Sequence, residues 1–231
     1  MKCPAFHDRH DAGRQLAVKV AALADAWQPP HSLLVLGLPR GGVPVAYEVA
    51  RLLGAPLDVL PVRKLGLPGA EEYAVGAIAS LNGDVVQVLD EAALRGRPDV
   101  YGVLDRVVRT QRAELVRRRQ VYRGTRPPLQ LHGRDVVLVD DGLATGATMR
   151  AAVGVARQGH ARRILVAVPV ADADALTRLC IEANACVSVA EVPNLQAVGM
   201  WYDDFSPTSD AEVIALLAEA ERRQAHLLAP G

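Results

Sequence analysis

Short apolar runs alternate along the chain with longer stretches in which apolar residues return every three or four positions. The segments "SLLVLG" (32–37), "LDVLPV" (57–62), "RDVVLVD" (134–140), "RILVAVPV" (163–170) and "ACVSVAEV" (185–192) are almost continuously apolar and are bounded by Gly, Pro or Asp. This pattern predicts strands buried on both faces of a sheet. Between them, "VPVAYEVARLLG" (43–54) and "ATMRAAVGVARQG" (147–159) have helical period, and each ends in a glycine suited to a left-handed position after the last turn. Strand, helix and strand in this order imply right-handed crossovers and a central parallel β-sheet flanked by helices, an α/β fold.

Two segments interrupt the alternation. Residues 65–90, "LGLPGAEEYAVGAIASLNGDVVQVLD", start as a Gly/Pro loop and continue as two strand-like pieces joined at Asn82-Gly83, a hairpin-turn signal. Residues 99–123 read as an amphipathic helix with Val103, Val107, Leu115 and Val116 towards the core and Arg117–Arg119 on a solvated face. A further helix is expected over about 11–26, and Ser209-x-x-Glu212 forms a capping box ahead of a last helix. The organisation expected is a single domain over 1–231: a core over about 30–170, the N-terminal helix, and a small C-terminal hood with its helix over about 185–231.

With 231 residues, half of them apolar, the chain can bury a core without covalent staples. Lys plus Arg equals Asp plus Glu at 26 each, so no overall field draws it to nucleic acid or to a membrane. Three cysteines, Cys3, Cys180 and Cys186, make neither a disulfide framework nor a zinc pattern at these spacings. The N-terminus carries charge where a signal peptide needs an apolar stretch, and no run approaches the length of a membrane span. A soluble, cytoplasmic protein is expected. The oligomeric state stays open, a homodimer included.

Candidate chemistry concentrates in "VVLVDDGLATGATM" (136–149). A nucleotide P-loop would need G-x-x-x-x-G-K-[ST], and Gly142 and Gly146 lack both the spacing and the lysine. A phospho-acceptor domain would put its acid pair near the N-terminus rather than past the midpoint. A sugar-phosphate site uses every residue. Asp140 and Asp141 leave the C-terminal end of a parallel strand, where open α/β sheets bind ligands, and can accept from a vicinal diol. Ala144, Thr145, Gly146, Ala147 and Thr148 then open a helix whose free N–H groups and hydroxyls suit a phosphate.

This signature resembles that of the type I phosphoribosyltransferases, and its "LATGATM" ending is most similar to the adenine-specific members. The resemblance, covering roughly 30–170, implies phosphoribosyl pyrophosphate and a base acceptor as substrates and Mg²⁺ as cofactor, with Asp140 and Asp141 at the catalytic and metal positions. It also implies a pyrophosphate loop after the first strand, matched by Arg40, Gly41 and Gly42 in "LGLPRGGVPVA" (36–46). Arg63 and Lys64 leave the second strand towards the same crevice, and 66–72 matches the family's mobile loop in position. The residue three after Asp141, often an aspartate in relatives acting on hypoxanthine and guanine, is Ala144 here. That departure argues against hypoxanthine–guanine specificity and removes the obvious base, leaving Glu72, with Glu71, as the substitute. Trp201, Tyr202 and Phe205 could stack an acceptor base, Tyr202 being the binding candidate, or could anchor the last helix. Two other functions remain open: a regulator that senses phosphoribosyl pyrophosphate without transferring it, and an enzyme that hydrolyses or isomerises sugar phosphates. A regulator would be expected to carry a DNA-binding domain or a basic face, so nucleic acid is not the expected partner.

Overall fold

Every residue of Leu33–Gly37 and of Asp135–Val139 is buried, the condition that an apolar run without alternation requires. The computed structural model of the chain describes residues 5–24, 33–67, 70–81, 84–89, 94 and 100–228. In chain order these form α1 (Arg9–Ala24), β1 (Leu33–Gly37), α2 (Gly42–Leu53), β2 (Leu57–Val59), β3 (Val62–Leu67), β4 (Ala70–Leu81), β5 (Asp84–Leu89), α3 (Val100–Arg123), β6 (Asp135–Val139), α4 (Ala147–Gln158), β7 (Arg163–Asp172), α5 (Ala173–Cys180), β8 (Ala185–Val192), a 3₁₀ turn (Val198–Trp201) and α6 (Asp210–Leu228). Five strands make a parallel sheet in the order β2-β1-β6-β7-β8, and β3-β4-β5 make a separate antiparallel sheet.

Alternation along the central strands divides the core into two layers. Leu34, Leu36, Val136, Leu138 and Val166 face α4, α5 and the antiparallel sheet, meeting Met149, Val153, Ala77 and Ala79. Val35, Val137, Val139 and Leu165 face the other way, against Leu16 and Val20 of α1, Val45 and Val49 of α2, and Val213 and Leu217 of α6. The antiparallel sheet has its own contacts with α3, where Leu65, Val75 and Ile78 meet Leu104 and Leu115.

The α/β fold class and the parallel sheet are as the pattern predicts. Several boundaries differ. β8 pairs in parallel with β7, so 185–192 is the fifth core strand and not part of a hood. The run 57–62 is divided: β2 ends at Val59, and Val62 begins the other sheet. The expected loop over 66–72 is built from strand. Gly66 and Leu67 end β3, 70–72 begin β4, and Gly66 pairs with Ala74 and Leu67 with Ala70 across a bulged register. Pro68 and Gly69 lie outside the described residues. The expected turn at Asn82-Gly83 also lies outside them, and it is bracketed by the pairing of Leu81 with Asp84. On α3, Val116 is exposed, and Leu104 is buried in the place expected of it.

Glycine use differs at the two helix ends. Gly54 stops α2 at φ 61°, as predicted. Gly159 has φ −74°, and the left-handed residue is His160 at φ 55°. Gly159 sits in close packing instead: a Cβ there would lie 2.8 Å from Leu131 Cδ1, and the leucine would have to shift. Ser209 Oγ accepts from the Glu212 N–H at 3.1 Å, which is the expected cap of α6. Cys180 and Cys186, across the short connection from α5 to β8, are joined in a disulfide with Cα atoms 5.7 Å apart. Spacing along the chain does not announce it, because the turn between α5 and β8 creates the proximity.

Asp135 begins β6 almost fully buried and receives Arg162 Nε at 2.9 Å and Arg163 Nε at 3.0 Å. Burial pushes its carboxyl up, but the two guanidiniums outweigh this and hold it at about 2. The folded state therefore binds fewer protons here than the unfolded chain, and the stabilisation is complete above the ordinary aspartate range, near pH 4. It is lost as pH falls from there towards 2. Urea unfolding at a series of pH values should show Asp135→Asn less stable than the parent at pH 7, with the difference shrinking below pH 4. A constant difference down to pH 2 would contradict this origin.

Candidate functional site

β1 and β6 lie side by side, parallel and in register from Leu33 with Asp135 to Gly37 with Val139. The turns that follow them therefore leave the same edge of the sheet together. After β1 the Leu38 N–H donates to the Val139 carbonyl at 2.9 Å, the Pro39–Arg40 peptide is cis, and Gly42 starts α2. After β6 come Asp140 and Asp141, then a loop to Gly146, which precedes α4 at φ 78° with no side chain capping the helix. An uncapped N-terminus leaves N–H groups and the positive end of the helix dipole for an anion.

The two turns touch through the glycines. A Cβ on Gly42 would lie 2.7 Å from the Val139 carbonyl oxygen and 2.8 Å from Asp140 Cα, and one on Gly41 would overlap Asp141 Oδ2. Close approach to an anion is the role that sequence suggests for these glycines. Their immediate neighbours in the fold are the acid pair itself.

Asp140 borders a cleft of about 470 Å³ whose other walls are Pro39, Val62, Arg63, Lys64, Gly66, Thr148 and, from α3, Val107, Gln111 and Arg118. Arg63 Nε donates to Gln111 Oε1 at 2.8 Å, and Arg118 Nε donates to Glu114 Oε1 at 2.8 Å. Burial, and then the charge of Arg118, disfavours the Arg63 cation. Like charges gathered at a cleft wall are relieved by an anionic ligand. Burial, then the neighbouring Asp141, pushes the Asp140 carboxyl well up, while the Asp141 N–H and Arg9 act the other way.

Just beyond the end of β6 the acid pair separates. Asp141 does not border the cleft. Its Oδ2 accepts from Arg9 Nε at 2.9 Å, and its backbone carbonyl accepts from Tyr202 Oη at 2.6 Å. Burial raises its carboxyl, opposed by Arg9. The ring of Tyr202 is buried against Phe6 and Phe205, centroids 5.3 and 5.0 Å away, so as placed it supports the acid loop rather than offering a face to a base. Arg40 also stands away from the cleft, with Nη1 3.8 Å from Asp210 Oδ1. Among the sequence candidates, Asp140, Arg63, Lys64 and Thr148 border one cleft; Thr145, Gly146 and Ala147 continue from it into α4; Ala144 packs near the hood cluster. Glu72 lies in the bulged stretch of β4, and its side chain is outside the described residues.

Three residues joined to this region were not candidates from sequence: Arg9, Gln111 and Arg118. A signal existed for two of them. Positions 107, 111 and 118 share one helical stripe, so the apolar Val107 marks the same face as Gln111 and Arg118. Nothing local distinguishes Arg9 among the charges of 7–11.

Among the described residues no group of three or more His, Cys, Asp and Glu side chains could hold a metal ion, and no helix is long and apolar enough to cross a membrane.

A sequence model of the phosphoribosyl transferase domain matches residues 7–192, and the chain belongs to that family. It is 47% identical over 217 residues to "Putative phosphoribosyl transferase Rv0571c" of Mycobacterium tuberculosis (strain ATCC 25618 / H37Rv), an alignment covering 94% of this chain and 47% of that protein. The chain thus spans about half the length of that relative. It is 36% identical over 134 residues to the "Bifunctional protein PyrR" of Chloroflexus aurantiacus, covering 56% of this chain and 65% of that one. The crystal structure of TT1426 from Thermus thermophilus is similar throughout, with TM-score 0.77, 46% identity and coverage of 93% of this chain and 98% of that chain.

The glycine contacts make a direct prediction. Gly42→Ala forces a methyl against backbone atoms that cannot rotate away, and overpacking of this kind costs about 1–3 kcal/mol. Denaturant unfolding should show that loss. An unchanged midpoint would mean that the two turns are not held together as described.

Proposed function

We propose that the chain transfers the 5-phosphoribosyl group of phosphoribosyl pyrophosphate to a nitrogenous acceptor and releases pyrophosphate. One observation carries this reading: Asp140 shares one cleft with Thr148, in the uncapped first turn of α4, and with the cations Arg63, Lys64 and Arg118. A ligand that fits has a diol in the middle and phosphate at both ends.

In this reading the 5′-phosphate takes the N–H groups and hydroxyls of 144–148 at the start of α4. Asp140 accepts from the ribose hydroxyls, and Asp141 supports the same end. The pyrophosphate lies towards Arg63, Lys64 and Arg118; Arg40, directed at Asp210 here, would have to turn to join it. As the C1–oxygen bond breaks, its electron pair leaves with pyrophosphate, and the acceptor nitrogen supplies the pair for the new C1–N bond. The developing negative charge is stabilised by these cations, and the positive ribosyl centre by the neighbouring carboxylate. β3 and α3 wall the cleft and limit capture of that centre by water. Glu72 is the candidate to take the acceptor's proton.

Mg²⁺ fits a site of this kind through Asp140, with Asp141 beside it, because the ion commonly takes one or two carboxylates and completes its shell with water and substrate phosphates. It would supply charge neutralisation to the leaving pyrophosphate.

The test is pyrophosphate release from phosphoribosyl pyrophosphate and Mg²⁺ in the presence of a panel of nitrogenous bases. One base should drive release, and Asp140→Asn should weaken ligand binding by about 1.5–3 kcal/mol, the range for a hydrogen bond to a charged group. Tight binding with no release on any base would identify a sensor in place of a transferase. Release without any base would identify a hydrolase.

Arg63→Ala offers a separate check. It should weaken phosphoribosyl pyrophosphate by roughly ten-fold or more while changing ribose 5-phosphate little, as only the former carries the group that a guanidinium there would bind. Equal losses in calorimetry would put Arg63 at the other end of the ligand.

A further inference from the structure

We infer that Arg9 is a positioning residue of the ribose end of the site, holding the Asp141 carboxylate in place through a guanidinium braced by the C-terminal region. The inference rests on the reading of the cleft as a phosphoribosyl site.

Arg9 is the first residue of α1, yet it reaches a carboxylate 132 positions away. Its guanidinium has three separate contacts. Nε donates to Asp141 Oδ2 at 2.9 Å, Nη1 donates to the Ser206 carbonyl at 2.7 Å, and Cζ lies 3.9 Å from the centroid of the Phe205 ring. A planar fork held at its edge, its tip and its face has little rotational freedom left. Asp141 is held just as firmly at its other end, where Tyr202 donates to the backbone carbonyl at 2.6 Å. Carboxylate and carbonyl are therefore tied to two neighbouring parts of the same aromatic cluster, Arg9 through Phe205 and the carbonyl through Tyr202.

The third party is the turn after β1. A Cβ on Gly41 would overlap Asp141 Oδ2 and lie 3.1 Å from Arg9 Nε, so backbone, carboxylate and guanidinium meet at one point with no room for a side chain. The pair is largely withdrawn from water, with 11% of the Arg9 and 18% of the Asp141 side chain exposed. Withdrawing both charges costs desolvation that their attraction does little more than repay, so net stability is a weak reason for the arrangement. Geometry is a better one. Arg9 occupies one carboxylate oxygen, and no other side chain among the described residues donates to Asp141's carboxylate. Asp141 does not itself border the cleft, but its backbone N–H donates to Asp140 Oδ1 at 2.9 Å, so fixing Asp141 sets the direction of the carboxyl that does. The same contact makes α1 and the 202–206 segment part of the ribose site, although neither borders the cleft.

Calorimetry with two probes separates positioning from general support. Ribose 5-phosphate carries the diol, and inorganic pyrophosphate does not. Arg9→Ala should weaken ribose 5-phosphate by about ten-fold or more, the effect of losing a charge-assisted contact, and pyrophosphate by less than about two-fold. Arg9→Lys retains the charge without the fork and should recover part of the loss, which also covers the case in which Arg9→Ala folds poorly. Parallel losses for the two probes in both variants, or no loss for either, would overturn the inference while leaving the proposed function intact. Wild-type protein that binds neither probe nor phosphoribosyl pyrophosphate would overturn both.

Discussion

The in-register parallel pairing of β1 with β6 is the constraint on which the site depends. It brings Gly37 level with Val139 and so starts the two following turns at the same height, a few ångströms apart. At that separation the turn after β1 cannot carry side chains where it passes the acid pair, and it has none at Gly41 and Gly42. A shift by one residue would turn every side chain of β6 to the opposite face and move the acid pair out of level with the turn after β1. The apolar residues of both strands oppose such a shift, since each faces its own layer of core.

Charge distribution follows from the same geometry. Two adjacent carboxylates at a buried strand end would repel one another and lack solvation, and the fold answers each differently. Asp141 is given a guanidinium from α1, whereas Asp140 borders a cleft that Arg63, Lys64 and Arg118 also line. Among these cations, Arg118 disfavours the charge of Arg63. A carboxyl and three cations thus line one cleft of about 470 Å³, an arrangement suited to a ligand with hydroxyls at one place and phosphates at another.

Packing around the site is dominated by short-range contacts that sequence pattern does not encode. Gly142 can have no side chain because Val198 would lie 2.4 Å from it, and this contact seats the 3₁₀ turn on the acid loop. The aromatic group formed by Phe6, Tyr202 and Phe205 closes the same side. The N-terminal and C-terminal segments therefore meet over Asp141, which joins the least diagnostic stretches of the chain to its most diagnostic motif.

Much of this was legible in the sequence. Continuous apolar runs identify the strands of the central sheet because a strand covered on both faces has no use for polar alternation, and "VVLVDDGLATGATM" identifies the acid pair and the helix start because both are local. Other features were decided only in three dimensions. The division of 57–62 between two sheets, the placing of the predicted strand 185–192 in the core sheet and not in a hood, and the hairpin that replaces an expected loop at 66–72 depend on which segments pair, and pairing is non-local. The same holds for Arg9, whose partner lies more than half a chain away, and for Tyr202, whose ring is taken up by neighbours before a ligand could use it. Gly41 and Gly42 show the difference at single residues. The sequence by itself determined that the chain turns there, whereas the tertiary structure decided why no side chain is tolerated: an oppositely placed atom occupies the space, and no local pattern records it.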